Sequence, residues 1–114
     1  MFLDAEGYDY YLRCGTTDMR CGIQSLAYLV QETMGMDPFS KSIFLFCGGK
    51  NRILKVLVWD NGFWLMSKRL CGGTFRWPAH AGEARPVHRA DVLRLISGED
   101  IFRRIPVRQG SYGF

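Results

Sequence analysis

The sequence predicts an α+β domain. The expected form is a mostly antiparallel sheet of about five strands, a meander of hairpins, with one long helix on a face and a short C-terminal helix. Three observations predict it. Apolar runs of strand length recur through residues 42–77, separated by Gly-Gly and Asn-Gly turn signals. A stripe of apolar residues at spacings of three and four precedes them. With 114 residues, the chain is long enough for one core, assigned to residues 1–106, with 107–114 as a flexible tail.

Along the chain, Tyr8-Asp9-Tyr10-Tyr11-Leu12-Arg13 reads as a short aromatic strand. Gly15-Thr16-Thr17 breaks it, with Thr17 as a helix N-cap and Asp18 as a favourable anion in the first turn. A helix over 18–34 follows, burying Met19, Ile23, Leu26, Ala27 and Val30. Gly35 closes it and Asp37-Pro38 bars its continuation. Ser42 to Cys47 is almost wholly apolar and reads as a central strand. Gly48-Gly49 turns the chain into a strand from Arg52 to Asp60. Asn61-Gly62 then makes a hairpin to Phe63–Leu70, because both residues tolerate positive φ. Gly72-Gly73 predicts a second hairpin, into Thr74–Trp77. Residues 79–87 are small, polar and Pro-containing and read as a loop. A short helix from about Arg89 to Ser97 follows, stopped by Gly98.

Charge is unevenly placed. Residues 1–40 carry two basic and six acidic side chains, net −4, whereas 41–114 carry thirteen and five, net +8. A basic C-terminal two-thirds suits an acidic partner surface such as nucleic acid. In a two-residue Asn61-Gly62 hairpin, Lys55 faces Lys68, and a Gly72-Gly73 hairpin sets Arg69 against Arg76. Like charges paired across strands are unfavourable unless an anion neutralises them. The predicted nucleic-acid contacts are therefore Arg20, Lys50, Arg52, Lys55, Lys68, Arg69 and Arg76. A three-residue Asp60-Asn61-Gly62 loop would instead set Lys55 against Ser67 and remove the clash. Long basic side chains also simply cover sheet surface while keeping their charge in water. Trp59, Trp64 and Trp77 are assigned to core or partner-interface anchoring.

Catalytic chemistry is thin. No nucleophile elbow, zinc-protease or phosphate-loop pattern occurs. Cys14, Cys21, Cys47 and Cys71 lack metal-knuckle spacing and read as reduced thiols. A zinc site from Cys71, His80 and His88 lacks the usual paired ligands. Asp18, Asp37 and Asp60 could be drawn as a two-metal cluster, but each fits a turn or helix start. The expectation is a protein that is not an enzyme and has no cofactor. No apolar run approaches the roughly 18 residues of a membrane span, and no signal-peptide pattern opens the chain, so the cytoplasm is expected.

A set of short motifs recurs in order over residues 10–78. It comprises Gly15-Thr16-Thr17-Asp18-Met19-Arg20 with Gly22-Ile23, Asp37-Pro38-Phe39-Ser40, Phe44 and Phe46, and Arg52-Ile53-Leu54-Lys55. Trp59-Asp60, Gly62-Phe63, Lys68-Arg69-Leu70 and Gly73-Thr74-Phe75-Arg76-Trp77-Pro78 complete it. In these residues the chain resembles the TnpB-type accessory proteins of the insertion sequence 66 family of bacterial transposable elements. Cys21, Gly48-Gly49 and Asn51 depart from the pattern, which is more basic there. The resemblance implies a non-catalytic factor of transposition working beside a separate transposase. It names DNA and the element's other proteins as partners, with self-association also open. Two functions follow as expectations: DNA binding by the basic hairpins, or protein–protein adaptation without DNA contact.

Overall fold

The computed structural model describes residues 6–80 and 82–102. The predicted tail at 107–114 lies outside them. Five strands, β1 (Asp9–Arg13), β2 (Ser42–Cys47), β3 (Ile53–Trp59), β4 (Phe63–Arg69) and β5 (Ala84–Val87), form one sheet in the order β4-β3-β2-β1-β5. Among the described residues two helices, α1 (Ile23–Glu32) and α2 (Arg89–Ile96), accompany the sheet.

The sheet is mixed, which corrects the expected meander of hairpins. β1 and β2 are parallel, Tyr10 beside Ile43 and Leu12 beside Leu45, while the other three pairings are antiparallel. Parallel neighbours need a crossover, and the segment carrying α1 supplies it. All six residues of β2 are buried. Phe44 and Phe46 meet Leu26, Val30 and Met34 of the α1 side, together with Leu57. Ile43, Leu45 and Cys47 point the other way, into a cluster with Leu12, Leu54, Val56, Phe75, Val92 and Leu95.

The long helix expected over 18–34 is absent, because α1 has only ten residues. Thr17 is not its cap; Gly22 is, and it makes no side-chain cap bond. Asp18 explains the late start. Its carboxylate accepts from the Arg20 backbone N–H at 2.9 Å, and its carbonyl accepts from Cys21 N at 3.0 Å. An Asp that bonds the amide two residues on folds the chain into a turn that competes with the first helical turn. Thr17 N donates instead to Cys47 O, tying this turn to the end of β2. At the far end Gly35 adopts φ +64° and the chain leaves the helix.

Thr74–Trp77 forms no strand, so the second hairpin is also corrected. After β4 the ladder ends at Leu70 N, which donates to Arg52 O. The chain then crosses the end of the sheet, with Phe75 N bonded to Asn51 O, Trp77 Nε1 to Arg13 O and Gly15 N to Pro78 O. The fifth strand comes from the segment expected to be a loop. β5 holds Pro86 opposite Tyr11. Because Cys14 N bonds Glu83 O, alternation along the antiparallel ladder places Pro86 at a non-hydrogen-bonded position. Its missing N–H would have pointed away from the sheet, which is where an edge strand tolerates proline.

Candidate nucleic-acid interface

The β3–β4 register decides which cations share a face. Trp59 pairs with Phe63, Lys55 with Ser67, Leu54 with Lys68 and Ile53 with Arg69. The loop is therefore the three-residue Asp60-Asn61-Gly62, with Asn61 at φ +54° and Asp60 N bonded to Gly62 O. The Lys55–Lys68 pair of the two-residue reading does not form, and without a second hairpin neither does the Arg69–Arg76 pair.

Lys55 and Arg69 lie on the α1 face. Lys55 Nζ donates to Cys21 O at 2.9 Å. Lys68 lies on the α2 face and donates to Ile96 O at 2.8 Å, where a cation meets the negative end of α2. At the end of the sheet where β2 turns into β3, Gly48 N bonds Ile53 O and Asn51 N bonds Gly48 O. This tight turn lifts Lys50 and Arg52 into solvent beside Arg69, which ends β4. The three cations border a groove of about 450 Å³ with Asp18, Met19 and Gly48 on its other wall. Gly48 fits closely there: a Cβ would lie 2.6 Å from Met19 Cγ, so a larger residue would force the Met19 side chain to shift.

The acid in this groove is already engaged. Arg20 closes on Asp18 with Nη2–Oδ2 at 2.6 Å and Nε contacts to both oxygens. Those bonds hold the Asp18 carboxyl down at about 2. The Arg20 side chain nevertheless remains 91% exposed.

Arg76 is exposed on a second groove of about 430 Å³, shared with Asn51, Trp77, His80 and Arg85. The β2–β3 turn borders both grooves. Sequence reasoning missed Arg85, because it lies in a Pro-containing stretch read as a loop and only pairing with β1 fixes its position. The tryptophans separate. Trp59 packs edge-on to Phe39 and Phe63, with centroids 4.9 Å away in both cases, at the hairpin end of the α1 face. Trp77 is half-buried and anchored to Arg13 O. Trp64 lies on the α2 face and is 55% exposed.

Among the described residues no three of His, Cys, Asp and Glu come together as a metal site. Asp37 accepts from Phe39 N in a turn, and Asp60 sits in the hairpin loop. Cys14 and Cys47 are buried, and burial pushes the Cys47 thiol up to about 11. No described helix is long and apolar enough to cross a membrane.

The family model described as IS66 Orf2-like protein matches residues 8–105. The chain belongs to that family. The match takes in β5 and α2, beyond the motifs that end at Pro78. An uncharacterized protein of Sinorhizobium fredii, y4hO, is 40% identical over 102 residues, covering 88% of each chain. No solved structure matches. The IS66 Orf2-like assignment fits an accessory role in an insertion sequence.

Proposed function

We propose that this IS66 Orf2-like protein is a non-catalytic factor of transposition that grips the DNA backbone with the basic end of its sheet. The observation that carries this reading is the convergence of Lys50, Arg52 and Arg69 on one groove whose acid, Asp18, is occupied by Arg20. Phosphate contacts by Lys and Arg position a duplex without reading its sequence. Arg20 adds an exposed cation beside Asp18, while Lys55, on the same face, has its ammonium turned onto Cys21 O. Arg76 and Arg85 extend the positive surface beyond the β2–β3 turn. Lys68 is outside this set, because its ammonium is turned onto Ile96 O on the opposite face.

Fluorescence anisotropy with a labelled duplex across a salt series tests the reading. Three phosphate contacts give a slope of log K against log salt near −2.7, roughly a 40-fold loss between 50 and 200 mM. The Lys50→Ala/Arg52→Ala/Arg69→Ala variant should lose that dependence, while Lys68→Ala should keep it. Salt-independent affinity, or a triple variant that binds like the parent, overturns the proposal.

A further inference from the structure

β4 is an outer strand of seven residues, and among the described residues no element pairs with its outer edge. The bond from Leu70 N to Arg52 O and the alternation of the ladder direct the even-numbered residues of β4 toward β3. Phe63, Leu65, Ser67 and Arg69 therefore present their N–H and C=O groups outward. Folded proteins usually blunt such an edge with charge, proline or a bulge. β4 instead opens with four apolar residues, Phe63-Trp64-Leu65-Met66, and carries charge only at its end, in Lys68-Arg69.

We propose that this edge binds the β4 edge of a second copy, antiparallel, about a two-fold axis through Met66. Three features of the strand select that occupant and register. Outward groups sit on odd residues, so a two-fold pairing must match odd with odd, and centring on Met66 pairs Leu65 with Ser67 and Phe63 with Arg69. Every residue of the strand is then used. The charges also fit: Lys68 falls opposite Trp64 and Arg69 opposite Phe63, so no cation faces a cation, and each lies beside an aromatic ring. A register shifted by two centres on Ser67 and leaves Phe63 and Trp64 without partners in the strand, and one shifted by four centres on Lys68 and sets the two lysines against each other. Finally, the pairing adds cover to a surface that one copy leaves open. Trp64 is 55% exposed, and beside it Leu54, Val56, Met66, Leu93 and Ile96 line an apolar groove of about 370 Å³. The axis doubles this groove across a continuous ten-stranded sheet.

The assembly requires nothing of the DNA reading. It does set the basic ends of both copies on one face, with their Arg69 Cα atoms about 20 Å apart along the strands.

Light scattering coupled to gel filtration tests the proposal, with cross-linking to fix the register. The parent chain should run at twice 13.1 kDa. Ser67→Pro removes one outward N–H without touching the β3 ladder, as Pro86 does in β5, and should run as a monomer with unchanged circular dichroism. In a Cys71→Ser background, Met66→Cys should form a disulfide-linked dimer on mild oxidation, since directly opposed residues lie within disulfide range. Trp64→Cys should not, because its symmetry mate lies four residues along, about 13 Å away. A parent chain that is monomeric at its highest soluble concentration overturns the proposal. So does a dimer in which Met66→Cys fails to cross-link, which also decides the matter if Ser67→Pro does not fold.

Discussion

Lys55 and Lys68 stand back to back on the β3–β4 hairpin, one donating to Cys21 O beneath α1 and the other to Ile96 O at the end of α2. Each ammonium thus ties the hairpin to the segment covering one face of the sheet. Read as a facing pair, these lysines would repel; as placed, they act as two separate fasteners.

Replacing either lysine by Met keeps the stem and removes the bond. Each change should cost about 1 kcal/mol, because a bond from a charged group is worth roughly 1.5–3 kcal/mol net and neither lysine is fully shielded from water. The two losses should add, because the side chains share no partner. Urea midpoints of the single and double variants measure this. A coupling well beyond about 0.5 kcal/mol would show that the fasteners are not independent.

Asn61 occupies left-handed space at φ +54° in the hairpin loop. A β-branched residue is strained there, so Asn61→Val should destabilise by about 1–2 kcal/mol. Asn61→Gly should be near neutral. Thermal unfolding of the pair checks the order, and a Val variant as stable as the parent would contradict the three-residue loop.

The hairpin shows how closely legibility depends on single residues. Asn61-Gly62 marks the turn in the sequence, but nothing local says whether Asp60 belongs to the strand or the loop. Moving Asp60 into the loop shifts the pairing by one and sends Lys55 and Lys68 to opposite faces. The apolar run from Ser42 to Cys47 reads correctly as central because burial on both faces leaves no alternation to misjudge. β5 stayed hidden because Pro86 is a strand breaker everywhere except at an outward edge position. The apolar spacing continues back to Met19 and so predicts a helix longer than α1, while the competing turn at Asp18 depends on a side-chain bond that periodicity cannot register. The groove itself was only half legible. Lys50 and Arg52 are neighbours in sequence, but Arg69 joins them solely through the Ile53–Arg69 register.

Asp18 should titrate late. Its carboxyl, bonded by the Arg20 guanidinium and backbone N–H, falls to about 2, below the 3.8 of a free aspartate. A depressed carboxylate contributes stability that is fully present above the unfolded value and lost as pH falls through the folded one, here between about 4 and 2. Carboxyl chemical shifts followed by NMR should give a midpoint near 2 for Asp18, and Arg20→Ala should return it toward 3.8. A normal midpoint in the parent chain would mean that the groove acid is not occupied, weakening the case for phosphate at that wall.

Phe75 belongs to the chain that crosses the end of the sheet, and its ring is fully buried among Leu54, Val92 and Leu95. Its backbone N–H bonds Asn51 O at 2.6 Å, within the turn that lifts Lys50 and Arg52. Phe75→Ala removes the ring from a packed core and should cost about 3–5 kcal/mol. Phe75→Leu, which refills most of the volume, should cost much less. The same contact links core to groove. If Phe75 anchors the β2–β3 turn, Phe75→Leu should retain the salt dependence of DNA binding, while Phe75→Ala should loosen the Gly48–Arg52 amides in hydrogen exchange before global unfolding. Protection of those amides that falls only with global stability would show that the turn is held by β2 and β3 alone.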